Sequence, residues 1–111
     1  MSESKQFRET TAAYLTVEAS ARRLFPNLSF DQVMAELLLE RAQKNLIKYQ
    51  SAIRGFEAKY PQGFEAMRAA TAREEISGES EQDYFDWELA LTGASDMREE
   101  IDRLKSLSER E

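Results

Sequence analysis

The stretch from residue 29 to residue 60 constrains the fold most, because it carries the longest unbroken helical pattern in the chain. Ser29 is a favourable N-cap, and Gln32 stands at the reciprocal position of a capping box. Pro61 ends the pattern, since a proline ring cannot continue a helix. At about 1.5 Å per residue the predicted helix is roughly 45 Å long, which is more than a compact globule of this chain length covers.

A second long helical pattern occupies the C-terminal part of the chain, and both patterns carry apolar residues spaced alternately by three and four. Such spacing keeps one face of each helix against a neighbour. The predicted helix-seam residues are Leu39, Leu46, Tyr49, Ile53, Phe56, Tyr60, Met97, Ile101 and Leu104. Gly93 interrupts the second pattern beside Ala90 and Ala94, where its lack of a side chain allows either a close approach of the helices or a mild kink.

These patterns predict a mainly α fold, a long antiparallel helical hairpin with a short connecting helix and a small N-terminal segment. We expect a single domain over residues 1–111. Its predicted parts are an N-terminal segment at 1–28, the central helix at 29–60, a connector with a short helix at 61–80 and a C-terminal helix at 81–108.

The N-terminal segment fits two kinds of secondary structure. Four β-branched residues between positions 10 and 17 favour a strand near 13–18, followed by a short helix through Arg23. The alanines and a spacing of three to four between apolar residues also fit a helix. We predict the short strand.

Composition removes most catalytic chemistry from consideration. The 111 residues contain no cysteine and no histidine, which excludes thiol nucleophiles, disulfides, thiolate zinc sites and imidazole acid–base catalysis. We therefore predict a non-enzymatic protein without a cofactor or a metal. The N-terminus is polar where a signal peptide needs an apolar block, and no apolar run is long enough to span a membrane, so we expect a cytoplasmic protein.

Charge is distributed unevenly along the chain. Residues 1–54 carry eight Lys or Arg against six Asp or Glu, whereas residues 55–111 carry seven against fifteen. This asymmetry is typical of a basic surface for one partner and an acidic surface for another, although a solvated acidic helix also produces it. Arg22 and Arg23 are the predicted nucleic-acid contacts of the basic half, with simple solvation as the alternative.

An aromatic and acidic block opens the C-terminal helix. We predict a partner-binding set of Phe64, Tyr84, Phe85, Asp86, Trp87 and Glu88, because Trp and Tyr are frequent anchors of protein interfaces. Tyr84 and Trp87 also fit the hairpin seam, which leaves Phe85 as the ring that projects elsewhere. The alternative is that all three rings belong to the core at this end of the hairpin. A metal or acid–base site at Asp83, Asp86 and Glu88 is a weaker alternative, because no ligand motif accompanies these carboxylates.

Two helices alone bury too little apolar surface to be stable, so the hairpin needs further cover. The N-terminal segment, a second copy of the chain or another protein can supply it. We therefore expect a homo-oligomer, such as a dimer, or a complex with a different protein.

Several blocks of the sequence together resemble small helical antitoxins of prokaryotic toxin–antitoxin operons. The blocks that carry the resemblance are Leu37-Leu38-Leu39-Glu40-Arg41-Ala42, Tyr49, Phe56-Glu57-Ala58-Lys59-Tyr60, Phe64-Glu65 and Asp83-Tyr84-Phe85-Asp86-Trp87-Glu88. The resemblance implies an acidic protein that masks a toxin, often a ribonuclease, and that in many families also binds its own operator through an N-terminal segment. The N-terminal region departs from this pattern, because it has no clear ribbon–helix–helix or helix–turn–helix sequence.

We therefore expect an interaction protein, most specifically an antitoxin that binds and masks a cognate toxin. Two alternatives remain open: a homo-oligomeric helical bundle with a structural role, and a DNA-binding autoregulator of its own operon.

Overall fold

The computed structural model describes the backbone of residues 2–110 and the side chains of residues 12, 13 and 15–107. Over this part of the chain the fold consists of four helices and no strand. They are α1 (Ser2–Leu24), α2 (Phe30–Lys59), α3 (Phe64–Ala72) and α4 (Glu79–Arg110). The predicted mainly α hairpin with a short connecting helix is confirmed, since α4 packs along α2 and α3 joins them.

Both ends of α2 follow the signals in the sequence. The Ser29 hydroxyl accepts a hydrogen bond from the Gln32 backbone N–H at 3.1 Å, and the Gln32 side-chain oxygen accepts one from the Ser29 N–H at 2.8 Å. This reciprocal pair satisfies two N–H groups that the first turn leaves without helical partners. The helix ends at Lys59, directly before the Tyr60–Pro61 step.

The predicted strand near residues 13–18 is wrong, because α1 is continuous through this stretch and ends at Leu24. Thr16 shows how a β-branched residue is accommodated there. Its hydroxyl donates a hydrogen bond to the Ala12 carbonyl one turn earlier, at 3.0 Å, an interaction that threonine makes within a helix. The local preference for a strand is small, and a strand in this segment would have no neighbour with which to pair its backbone.

The seam between α2 and α4 is apolar along its length. At the open end of the hairpin, which joins the start of α2 to the end of α4, the seam contains Leu39, Ala42, Leu46, Met97, Ile101 and Leu104. At the closed end, where α3 connects the two helices, it contains Ile53, Phe56, Tyr60, Phe64, Met67, Tyr84 and Trp87. The predicted seam residues in these two clusters therefore face each other in the predicted antiparallel order.

Between the two clusters the Tyr49 ring of α2 packs directly against α4 at Gly93. A Cβ atom placed on Gly93 lies 2.5 Å from Cζ of Tyr49 and 2.6 Å from its Cε1. Non-bonded carbon atoms prefer about 3.5–4.0 Å, so only a residue without a side chain leaves room for the Tyr49 ring. Gly93 thus makes room for the Tyr49 ring between the two helices.

The C-terminal helix begins at Glu79, two residues before the predicted boundary. Gly78 adopts a φ of 63°, a left-handed conformation that favours glycine, and its carbonyl accepts the Gln82 N–H at 3.1 Å. The helix therefore starts directly after Gly78.

The molecule is elongated, with principal extents of 59 × 40 × 20 Å and a radius of gyration of 21.3 Å. A compact domain of this length has a radius of gyration of about 13 Å. Helix α1 makes few contacts with α2, and Ala21 is the only buried residue among its described side chains. The fold therefore places an α-helical arm beside a thin two-helix hairpin.

Candidate functional site

Trp87 is the centre of an aromatic cluster at the closed end of the hairpin. Its ring stacks on Phe56 and Tyr60, with centroid separations of 5.8 and 6.2 Å, and meets the edge of Phe64 at 5.3 Å. Tyr84 stacks on the same Phe64 ring at 5.3 Å. Trp87 is only 1% exposed, and its indole N–H has no hydrogen-bond partner among the described residues. Packing therefore holds the ring in place.

The predicted partner-binding set separates into two groups in this fold. Phe64 is half-buried against both rings, whereas Trp87 and Tyr84 are buried, so the assignment of these two α4 residues to a contact surface is corrected. Their rings face α2 and α3 because that side of α4 lies on the hairpin seam. Phe85 and the neighbouring carboxylates Asp86 and Glu88 remain exposed.

A cluster of polar contacts joins α2 to α4 beside these rings. The Lys59 ammonium contacts Glu79 at 2.6 Å and Asp83 at 2.7 Å, and the Tyr60 hydroxyl donates to the same Asp83 carboxylate at 2.6 Å. Hydrogen bonds from Lys59 and Tyr60 lower the pKa of Asp83. Hydrogen bonds to Asp83 and Glu79 in turn raise the pKa of Lys59. The contacts fix how the end of α2 sits against the start of α4.

The carboxylates of the aromatic block do not converge on a common point. Asp83 faces Lys59, Asp86 accepts a hydrogen bond from Gln82 at 3.0 Å, and Glu88 accepts one from the Tyr84 hydroxyl at 3.0 Å. Among the described residues no group of three Asp or Glu side chains is arranged to hold a metal ion. The weaker alternative of a metal site at Asp83, Asp86 and Glu88 therefore has no geometric support.

The outer face of α4 carries two exposed apolar side chains, Phe85 and Leu89, which we call the α4 ridge. Phe85 is 49% exposed and Leu89 is 69% exposed, and a spacing of four residues places them one turn apart on the same side of the helix. The Phe85 ring meets the edge of Tyr84 with centroids 5.3 Å apart. A buried neighbour therefore supports one side of Phe85 while the other side faces solvent.

The charge around the α4 ridge has one sign. Residues 74–97 contain eight Asp or Glu and no Lys or Arg. Among them Glu81, Asp86 and Glu88 lie exposed within one or two turns of the ridge. A cationic surface would neutralise these carboxylates, whereas a second acidic surface would be repelled.

Leu89 is the ridge residue that the sequence prediction missed. The available signal was the four-residue spacing from Phe85, on the side of α4 opposite the Trp87, Ala90 and Ala94 seam. The prediction concentrated on the start of the helix because aromatic residues are frequent there, but Tyr84 and Trp87 belong to the core at the closed end.

Arg22 and Arg23 lie exposed at the C-terminal end of α1. Arg22 contacts Glu18 at 2.7 Å, and Arg23 donates a hydrogen bond to the Ser20 hydroxyl at 3.0 Å. Both arginines thus have partners within their own helix, and the expected strand beside them is absent. Nucleic-acid contact at Arg22 and Arg23 stays a prediction.

None of the helices in the described part of the chain is long and apolar enough to cross a membrane. Comparisons with protein-family models, with curated proteins and with solved structures find no match to this chain.

Proposed function

We propose that this chain is a non-enzymatic interaction protein that binds a basic protein through the α4 ridge. The observation that carries the proposal is the exposure of Phe85 and Leu89 side by side within a stretch that has eight acidic and no basic residues. Apolar anchors surrounded by a charged rim are the usual composition of a protein interface. The partner in this proposal presents an apolar groove bordered by Lys or Arg.

The Phe85 ring is well suited to act as the anchor. Its contact with the buried Tyr84 ring restricts its orientation before binding, so little conformational entropy is lost in the complex. Leu89 extends the apolar surface by one helical turn. This combination matches the recognition mode in which one face of a helix lies in a groove of the partner.

Within this class we propose an antitoxin as the specific role, with a cytoplasmic location. The support is the sequence resemblance together with the acidic ridge, since a basic toxin surface, such as the active site of a ribonuclease, has complementary charge. Occupying such a surface blocks it sterically and electrostatically. The product of the gene adjacent to this one is the partner to test first.

The test combines binding with a growth assay. We expect the chain to form a complex with the purified adjacent gene product at micromolar concentration, with an affinity that falls as salt rises. Expression of that product alone should arrest growth, and co-expression of this chain should relieve the arrest. No complex at micromolar concentration, or no growth arrest, would reject the antitoxin assignment.

A matched pair of variants tests the surface itself. The double substitution F85A/L89A should weaken the complex at least about 10-fold, because central interface anchors each contribute more than about 1 kcal/mol. The control is Ile47→Ala, which removes an apolar side chain that is equally accessible but lies on α2. Equal affinities for the two variants would show that the partner binds elsewhere.

A further inference from the structure

A second exposed apolar surface lies at the open end of the hairpin and is separate from the α4 ridge. Three of its side chains come from the first turns of α2, one from the end of α4 and two from α1. We call this surface the open-end face; it consists of Val17, Leu24, Met34, Leu37, Leu38 and Leu107, all of which are exposed.

The six side chains form one continuous surface. A cleft between α1 and α2 is lined by Val17, Leu24, Met34 and Leu37, and a hollow between α2 and α4 is lined by Met34, Leu38 and Leu107. Met34 borders both concavities and therefore joins them. Single exposed apolar residues are ordinary on a protein surface, but a contiguous group of this size marks a contact site.

Helix α1 itself indicates that the face is covered in solution. Only Ala21 is buried among the described side chains of α1, so the tertiary contacts that normally stabilise a helix are largely missing. In proteins most of the stability of a helix comes from tertiary packing of its apolar face rather than from helix propensity. A partner on the open-end face supplies the missing contacts to α1.

The charges at the border of the open-end face indicate which kind of partner fits it. From position 17 to position 44 the described charged residues of α1 and α2 are four acidic and four basic: Glu18, Asp31, Glu36, Glu40, Arg22, Arg23, Arg41 and Lys44. Two copies can therefore meet here without net repulsion, although each whole chain carries −6. The α4 ridge differs, because its uniformly acidic surroundings repel a second copy.

We propose that the open-end face is the interface between two copies of this chain. A two-fold symmetric dimer brings the same surface of both copies together, which suits an apolar face with balanced border charges. The dimer leaves the two α4 ridges free at a distance from the symmetry axis. This proposal does not depend on the proposed function, since it concerns different residues and a different partner.

Sedimentation velocity of the full chain over a concentration series tests the dimer. We expect a dimer at micromolar concentration, and the double substitution L24E/L38E should raise its dissociation constant at least about 100-fold by burying two charges in the contact. The matched control is Leu89→Glu, which adds the same charge to an exposed leucine outside the face. A monomeric wild-type chain, or a dimer that L89E disrupts and L24E/L38E does not, would overturn the proposal.

A second measurement leaves the face intact, so it does not depend on how L24E/L38E folds. The chain has no cysteine, so a single spin label can be attached to Glu36→Cys near the open end or to Glu57→Cys near the closed end. Pulsed dipolar spectroscopy should give a shorter distance between copies for the label at position 36. No dipolar signal from either label, or a shorter distance at position 57, would contradict an open-end interface.

Discussion

Replacing Gly93 by alanine should destabilise the hairpin, although glycine-to-alanine changes within helices normally stabilise. The reason is the Tyr49 ring, whose Cζ, Cε1 and Cε2 atoms lie 2.5, 2.6 and 2.8 Å from the position of an alanine Cβ at residue 93. All three separations are about 1 Å shorter than carbon–carbon contact allows. Either the ring leaves its place or the two helices move apart.

The expected magnitude follows from two opposing effects. Alanine gains about 1 kcal/mol in helix propensity over glycine, while inserting a methyl group into a packed contact costs about 1–3 kcal/mol. The net change at Gly93 is therefore a loss of up to about 2 kcal/mol. Gly55 is the matched control, because a Cβ there meets nothing within 4 Å, and Gly55→Ala should gain about 1 kcal/mol.

Thermal and urea unfolding followed by circular dichroism measure the difference between these two variants. At roughly 4 °C per kcal/mol for a chain of this size, G93A should melt about 4–12 °C below G55A. The double variant Y49A/G93A identifies the cause: once the ring is absent, alanine at 93 should stabilise relative to Y49A alone. A G93A protein that melts as high as G55A would refute the close approach of Tyr49 to the α4 backbone.

Three further changes probe the closed end. Trp87→Ala should cost about 3–5 kcal/mol of unfolding free energy because it empties the centre of the aromatic cluster. Phe85→Ala should cost less than about 1 kcal/mol because its ring is half exposed. Equal losses of stability in urea unfolding would place Phe85 in the core. Hydrogen bonds from Lys59 and Tyr60 lower the pKa of Asp83 in the folded state, so this residue stabilises the fold above its usual pKa of about 3.9 and loses that contribution as pH falls through the folded-state value. Asp83→Asn should therefore reduce the acid dependence of the melting temperature, and an unchanged dependence below about pH 5 would contradict the assignment.

The long helices could be predicted because their signals are local. Ser29 and Gln32 define the start of α2 within four residues, and Pro61 defines its end. The seam could be predicted as well, since the three-to-four spacing of its apolar residues specifies a face without any knowledge of the partner helix. The contact of the Tyr49 ring with Gly93 was not predicted, because the sequence left open whether this glycine serves a close helix approach or a kink.

The N-terminal segment could not be predicted by the same means. Its β-branched residues have a local preference for extended backbone that is worth only tenths of a kcal/mol each. The hydrogen bond from Thr16 to the Ala12 carbonyl belongs to the helix and is invisible in a strand pattern. Because α1 makes so few tertiary contacts, no strong packing signal was available to outweigh the wrong local preference.

Helical spacing indicated that Tyr84 and Trp87 fit the seam of α4 and that Phe85 projects elsewhere, but it left open whether the two seam rings belong to the core or contact a partner. Tyr84, Phe85 and Trp87 point in three directions around the helix, and their burial is decided by the register of α4 against α2. Only Tyr84 and Trp87 meet the rings of α2 and α3, which leaves Phe85 with Leu89 outside. Local density of aromatic residues was therefore a poor guide to accessibility.

The position of α3 between the long helices has a consequence for how the chain folds. At the closed end the contact between Tyr60 and Asp83 joins residues only 23 apart in sequence, whereas the contacts of Ala42 with Ile101 and Leu104 enclose nearly the whole hairpin. Closing a short loop loses less chain entropy than closing a long one, and contacts between residues near in sequence form faster. We therefore expect the aromatic cluster to form first and the pairing of α2 with α4 to proceed from it toward the open end, so that the open-end face is completed last.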